Sequence, residues 1–423
     1  MRRILALLIL LLIGATAVRG APQENLTVVS VSEILAKIQQ GKPVEYDHIL
    51  VNGDLNLSQL GLTNITSPMR INDSLIYGSI IFKNTSLDNS IDLSGSDISS
   101  CDFSGARFYN LTNFNQAWLG GYANFSEAKF NGPANFFETK FIFSNFSRAT
   151  FSYYASFHWT EFMGPANFTD ANFFVSDFSG ATFSGKADFI RAMFGGIADF
   201  SGTMFNDNVN FSDVTFTSIA RNADFNGASF KGYVTGWPLK NSSVDEVTYL
   251  ALIKNLNDHG QFNDADSCYY DYRYRYMSSP LDYLSWISCG YGVRPELPLI
   301  WSVLLIVFFG IIYWGGDAVQ RTIQQYYRIT YASDYKKQAG FLPKRILANI
   351  ARKIQGKSLK SSNLSFLDSL YFSSMIFFVS HPPTDWRPSN EWKWWKYLIM
   401  VEDIMGWLLL TLFVVTLTHV MVR

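Results

Sequence analysis

The run Ala123-Asn124-Phe125, Ala128-Lys129-Phe130, Ala134-Asn135-Phe136, Thr139-Lys140-Phe141, Ser144-Asn145-Phe146, Ala149-Thr150-Phe151 decides how this chain folds. A large apolar centre returns every five or six residues, and a small residue stands two places before it. From Phe82 to Phe230 there are 28 such centres; 24 are Phe, and Leu87, Leu93, Ile98 and Leu119 fill the rest. The position two before the centre is Ala in 15 cases and Ser, Thr or Cys in nine. Five is neither the helical period of 3.6 nor the strand period of two, so neither an amphipathic helix nor an ordinary sheet accounts for it. A period this short and regular belongs to a solenoid.

A coil that turns a corner every five residues points one large and one small side chain inward from each face. Four faces per coil divide the centres into seven coils, and backbones stacked at about 4.8 Å make a rod about 30 Å long. The core is Phe stacked on Phe, each ring burying roughly 150–250 Å², while Asn, Asp, Ser, Lys and Gly face solvent or form turns. With these residues in hand, the chain resembles the pentapeptide-repeat proteins, whose motif is a small residue, Asp or Asn, Leu or Phe, and two variable residues. That resemblance implies a right-handed quadrilateral β-helix over 81–235. The six-residue steps depart from the motif, often with an inserted pair such as Gly132-Pro133 or Gly164-Pro165, and are expected as bulged corners. The run also breaks between Phe216 and Phe225.

Arg2 and Arg3 precede an apolar run from Ile4 to Ile13 and then Ala15-Thr16-Ala17. This pattern predicts a secretory signal peptide over 1–20, cleaved near Ala17 or Ala21, with an uncleaved anchor helix as the alternative. Both place the repeats outside the cytoplasm. Seven Asn residues (56, 64, 84, 110, 145, 167 and 210) sit in Asn-x-Ser/Thr, although the repeat itself generates that triplet. Segment 26–80 is expected to cap the solenoid, with a short helix capped by Ser32, carrying Ile34, Leu35 and Ile38, and closed by Gly41 and Pro43.

Beyond the repeats, 240–296 changes period. Tyr249, Leu250, Ile253 and Leu256 predict one helix, His259-Gly260 a turn, and Ala265–Tyr276 a second helix. Residues 297–423 predict a membrane domain. Leu297–Trp314 is apolar and uncharged; Tyr397–Val422 is apolar apart from Glu402 and Asp403, and Trp392, Trp394, Trp395 and Tyr397 form an interfacial belt. Between them, 317–363 carries ten Lys/Arg against two acidic residues, which predicts a cytoplasmic loop. The net charge of −1 conceals this asymmetry and points to no nucleic acid.

The segment Leu364–Ser380, with Phe366-Leu367-Asp368-Ser369-Leu370-Tyr371-Phe372-Ser373-Ser374, and the later Glu402-Asp403-Ile404-Met405-Gly406-Trp407 resemble the pore helix and inner helix of two-transmembrane channels of the potassium-channel superfamily. The resemblance implies pore-helix roles for Asp368, Tyr371 and Ser374, and a hinge at Gly406 on the helix that carries Glu402. It also implies a homo-tetramer and passage of monovalent cations. That family places Thr-x-Gly-Tyr-Gly-Asp after the pore helix; here Val379, Ser380, His381, Pro382 and Pro383 stand in its place. Glycine supplies backbone angles that other residues resist, and proline locks φ. The same carbonyl ladder therefore cannot form, and potassium selectivity is not expected. The charge distribution puts the short helix on the cytoplasmic side, as an inverted pore; a full third crossing by 364–380 is the alternative.

No cofactor, metal centre or enzyme activity is expected. His48, His158, His259, His381 and His419 fall in separate elements. Cys101 fills a small-residue slot, and Cys268 and Cys289 are either an extracellular disulfide or two free thiols. His381 is either a pH-sensitive residue at a pore mouth or a turn residue before two prolines. Glu402 is an intramembrane acid with a functional, snorkelling or subunit-contact role. The expected protein lies in the plasma membrane with its rod extracytoplasmic, in contact with lipid and an unidentified external ligand. It is either channel-like or an envelope-structural or adhesion protein that uses the helices as an anchor. DNA mimicry, known for some soluble pentapeptide-repeat proteins, does not suit a rod held away from DNA.

Overall fold

The computed structural model describes residues 26–217, 223–237, 242–316, 319–321, 365–380, 386–388 and 394–421. The expected signal peptide, most of the basic loop, and His381, Pro382 and Pro383 lie outside them. The chain divides into two compact units, Met1–Tyr272 and Arg273–Arg423.

The first unit is a parallel β-solenoid of about nine turns. The inward centres form four ladders, each climbing one coil at a time. The first runs Phe82, Phe103, Phe125, Phe146, Phe168, Phe189, Phe211, and the third runs Leu93, Phe114, Phe136, Phe157, Phe178, Phe200, Phe225. From Phe103 onward rings stack face to face within a ladder, whereas Phe82 meets Phe103 edge on at 88°: Phe130 and Phe151 are 4.6 Å apart and 1° from parallel. Between ladders they meet edge on, as Phe114 does against Phe103 at 77° and Phe125 at 86°. Both geometries suit the aromatic quadrupole, and the alternation fills the interior. Ala106, Ala117, Ala128, Ala149 and Ala171, two before their centres, are fully buried, so a small side chain is required where the rings converge.

The corners are of two kinds. After the first and third ladders every step is five residues, and the chain makes a tight turn whose third residue has φ between 53° and 70°. Ala106 N donates to Phe103 O at 3.0 Å and Ala128 N to Phe125 O at 3.1 Å, closing such turns. At most of these turns the Asx residue before the centre is the cap: Ser126 N donates to Asn124 Oδ1 at 3.1 Å, and Asn124 Nδ2 reaches Asp102 Oδ1 one coil below, also at 3.1 Å. This is why the motif asks for Asn or Asp. After the second and fourth ladders strands bend without a turn, so the four faces merge into two parallel sheets. The six-residue steps fall only at these bends. Pairing slips between Leu119 and Tyr122 and between Phe151 and Tyr154, as bulged corners require. Beyond the break after Phe216, Phe225 still lies 4.9 Å from Phe200 on its ladder.

Coils also precede Phe82. Val29 pairs with Val51, Val51 with Ile76 and Ile76 with Ile98, while Val44, Met69 and Ile91 stack on another face. Segment 26–80 therefore contributes solenoid turns as well as a cap. The cap proper is helix α1 (Val31–Gln39), with Ile34 and Ile38 one turn apart and buried in the core. Its N-cap is Ser30, whose Oγ accepts from Glu33 N at 3.2 Å, and not Ser32. Ser30 has the acidic partner three residues on that the capping pattern needs.

At the other end Trp237 covers the ladders, 4.8 Å from Phe225 and 5.3 Å from Phe230. Helix α2 (Glu246–Asp258) follows, with Tyr249, Leu252 and Leu256 wholly buried and Leu250 exposed, so its inward face runs through Leu252 rather than Leu250. His259 caps it, Gly260 turns at φ 71°, and α3 (Phe262–Arg275) adds Ala265 and Cys268 to the same core. The expected hairpin linker is thus largely the C-terminal cover of the solenoid.

Among the described residues beyond that boundary, the second unit has four α-helices: α4 (Pro280–Cys289), α5 (Glu296–Gly315), α6 (Phe366–Val379) and α7 (Trp395–Met421). Ser279 and Asp282 form a capping box that starts α4, with Pro280 in its first turn. Helices α5 and α7 are long and apolar enough to cross a membrane by length and composition. Helix α6 has 14 residues, about 21 Å of rise against a hydrocarbon core of about 30 Å. A full crossing by α6 alone is therefore too short.

Candidate functional site

Helices α5, α6 and α7 pack on one another, and Glu402 lies where they meet. Its side chain is fully buried. Tyr313 of α5, also fully buried, donates its hydroxyl to Glu402 Oε2 at 2.6 Å. Ser373 of α6 meets Oε1 in a very short contact and lies 2.9 Å from the Ile306 carbonyl of α5. One carboxyl thus ties three helices through two hydroxyls. Apolar packing surrounds it: Phe372 meets Tyr313 edge on at 5.2 Å, and Phe309 and Ile376 complete the cluster. Gly406, one turn after Glu402, lets α7 approach α6; a Cβ there would stand 2.7 Å from the Phe377 carbonyl. Gly310 does the same for α5 against Leu370, at 2.8 Å.

The remaining expected site residues are scattered. Asp368 is a helix cap: its Oδ2 accepts from Ser365 N and Oγ at 3.3 and 2.9 Å, while Ser365 Oγ accepts from Asp368 N at 3.2 Å. Tyr371 is half exposed and, with Ser374, lines a shallow groove of about 370 Å³ shared with Val303, Ile306, Val307 and Leu370. Ser374 spends its hydroxyl on the Tyr371 carbonyl, at 2.8 Å. Val379 is exposed, and Ser380 ends α6 with φ 58° and a bond from its N to Ile376 O at 3.1 Å. The structure therefore brings together Glu402 and Gly406 with two groups the sequence reading passed over, Tyr313 and Ser373.

On the solenoid, the Asn-x-Ser/Thr triplets of the repeat are turn caps: Asn145, Asn167 and Asn210 each accept from the backbone N two residues on, at 2.9–3.0 Å. All three are partly buried. Their spacing is explained by the fold without glycosylation.

Residues 157–204 match the family model for pentapeptide repeats (9 copies). The small-Asx-Phe motif, the stacked Phe ladders and the parallel coils agree with that match, and the pentapeptide-repeat part of the chain is a β-solenoid. No curated protein and no solved structure matches the chain.

Around this pentapeptide-repeat solenoid, Cys101 sits buried in a small-residue slot, between Ile80 and Ala123 on neighbouring coils, where burial pushes its thiol far up. Cys101, Cys268 and Cys289 are all buried. Stacking also places Asp73 one coil from His48, so that ligand atoms of Asp47, His48 and Asp73 lie within 4.8 Å of one another. All three are exposed and His48 already pairs with Asp47 at 3.0 Å; exposed groups of this sort are common without an ion. Their coming together follows from coil length, because residues far apart in sequence meet on neighbouring coils.

Proposed function

We propose that this is an integral membrane protein in which α5 and α7 cross the bilayer, α6 enters it partway, and the pentapeptide-repeat solenoid is carried on the extracytoplasmic side of the plasma membrane. The helical unit is channel-like, assembled from four copies around a path for monovalent cations. The observation that carries this reading is the order long, short, long: α6 is too short to span and packs against both long helices. Support for the lipid setting comes from Leu299, Val303, Phe308, Ile311, Trp407, Leu408, Val414 and Val415, all large, apolar and exposed on α5 and α7. An apolar surface of this size needs lipid or protein against it.

Potassium selectivity is not part of the proposal. Val379, Ser380, His381, Pro382 and Pro383 replace the glycine-bearing filter, and no ring of dehydrating carbonyls remains to favour one ion's size. The test is planar-bilayer recording of the purified full chain. Conductance that discriminates weakly between potassium and sodium supports the channel-like reading, whereas strong potassium selectivity overturns the argument from the missing glycines.

The second reading is an envelope-structural or adhesion protein for which the helices are an anchor. The close seat of Gly406 against the Phe377 carbonyl favours it, since a glycine pinned between two helices is a packing residue rather than a free hinge. Complete electrical silence of a well-folded preparation selects this reading.

A further inference from the structure

The junction around Glu402 has three short oxygen–oxygen contacts to fill with hydrogens. They are Tyr313 hydroxyl with Glu402 Oε2, Glu402 Oε1 with Ser373 Oγ, and Ser373 Oγ with the Ile306 carbonyl. Each contact needs one hydrogen. The tyrosine supplies one and the serine supplies one. Ile306 O, a carbonyl, has none to give, so the third can come only from the carboxyl itself.

With an ionised Glu402, the single serine hydrogen must choose between Oε1 and the Ile306 carbonyl, and one contact becomes oxygen against oxygen with nothing between. With a protonated Glu402, the chain closes. The carboxyl donates from Oε1 to Ser373 Oγ, Ser373 donates to Ile306 O, and Tyr313 donates to Oε2. Charge leads to the same answer. Glu402 is fully buried, and among the described residues the groups acting on it are Ser373 from α6, Tyr313 from α5 and Asp403 from its own helix, none of them cationic. An isolated buried carboxylate is among the most costly groups a fold can hold, and such a group takes up a proton instead. Asp403 adds no relief, because its buried Oδ1 has no hydrogen-bond partner among the described residues.

We infer that Glu402 is a proton-binding site, and that the bound proton latches α5, α6 and α7 together through Ser373, Ile306 and Tyr313. Its ligand is the proton and no metal is required. Release of the proton strands a negative charge in an apolar junction and breaks one of its three hydrogen bonds. The junction must then loosen or admit water. The inference rests on contacts within the helical unit and stands apart from the channel-like and anchor readings.

Infrared spectroscopy of the purified full chain, in detergent or lipid nanodiscs, tests it directly. At neutral pH the wild type should show a protonated-carboxyl band that is absent from Glu402→Gln, a substitution that keeps the shape and both acceptor and donor capacity. The band should disappear as the solution is made alkaline. Over that same range the helical unit of the wild type should become easier to unfold, while Glu402→Gln should show no such change. Should Glu402→Gln fail to fold, Tyr313→Phe gives the same information in the wild-type background of the acid. Removing the bond to Oε2 should move the carboxyl band to higher frequency without abolishing it. A neutral-pH spectrum in which neither variant alters any protonated-carboxyl band overturns the proposal, as does an unfolding profile that Glu402→Gln leaves unchanged in its alkaline limb.

Discussion

Phe146 lies directly beneath Phe168, with ring centroids 5.1 Å apart and planes 1° from parallel, and Phe168 in turn lies 4.9 Å from Phe189. Phe168 is wholly buried and also meets Phe157 and Phe178 edge on. Nothing nearby can collapse into the space it fills, because its neighbours are held by their own ladders. Phe168→Ala should therefore cost about 3–5 kcal/mol, and Phe168→Asp more, because it adds an unpaired carboxylate. Circular dichroism melting of the full chain, with hydrogen exchange at the Phe146 and Phe189 amides, checks this. Unchanged protection in Phe168→Asp is incompatible with the ladder.

The tight corners give a prediction of opposite sign at two equivalent positions. Gly105 turns at φ 66°, and a Cβ there would stand 2.2 Å from Asn84 Oδ1. Gly105→Ala should destabilise by about 1–2 kcal/mol, from the left-handed backbone and the displaced Asn84. Asp213 occupies the same place in the turn two residues after Phe211, at φ 58°, and bears the strain that glycine avoids. Asp213→Gly should raise the melting temperature. Denaturant titrations of the two variants should move the midpoint in opposite directions.

At the C-terminal end, Asp245 joins the last coil to α2. Its side chain accepts from Thr248 N at 2.9 Å, from Thr248 Oγ1 at 2.8 Å and from Gly227 N. Burial works to raise this carboxyl, but the bonds from the Thr248 backbone, the Gly227 backbone and the Thr248 hydroxyl outweigh it and hold it below the ordinary value of 3.8. The sign follows: the native state favours the ionised form, so the contribution is present above the ordinary value and is lost as pH falls through the lower native one. Exchange protection at Gly227 and Thr248 should persist down to the usual carboxylate range and fail only below it. Asp245→Ala should remove that acid limb and cost about 1 kcal/mol at neutral pH.

How far the chain could be read in advance differs between its parts. Phe82 to Phe230 was legible because one large residue recurs at a fixed step, and the fold has to place it inside. The earlier coils were not. Val29, Val51 and Ile76 stack in register just as the Phe residues do, yet aliphatic centres at uneven steps carry no visible period. Helix α4 is signalled only by Ser279, Pro280 and Asp282, a far weaker pattern than the apolar run that follows it. Leu250 is one of the apolar residues whose spacing predicts α2, yet it is exposed, and the face packed on the solenoid runs through Tyr249 and Leu252. Glu402 stood out as an acid in an apolar helix, whereas its partners could not, since Tyr313 is 89 residues away and Ser373 is 29. A hydroxyl among apolar residues looks like filler until the fold sets it beside a carboxyl.

The last prediction concerns sidedness. Between α5 and α6 the chain carries ten Lys/Arg against two acidic residues over 317–363. Loops of this composition remain on the cytoplasmic side of a membrane because short basic segments resist translocation. The proposed signal peptide delivers the solenoid to the opposite face, so the two halves of the charge distribution should be separated by the bilayer. Ser358 lies in the basic segment, and Ser152 is an exposed solenoid residue beside a bend. The three native thiols are buried, so background labelling should be low. In intact cells Ser152→Cys should react with a membrane-impermeant thiol reagent, and Ser358→Cys should react only after permeabilisation. Labelling of Ser358→Cys from outside, with Ser152→Cys protected, inverts the arrangement. Labelling of both from outside means that the helices between them do not hold the basic loop within the cell.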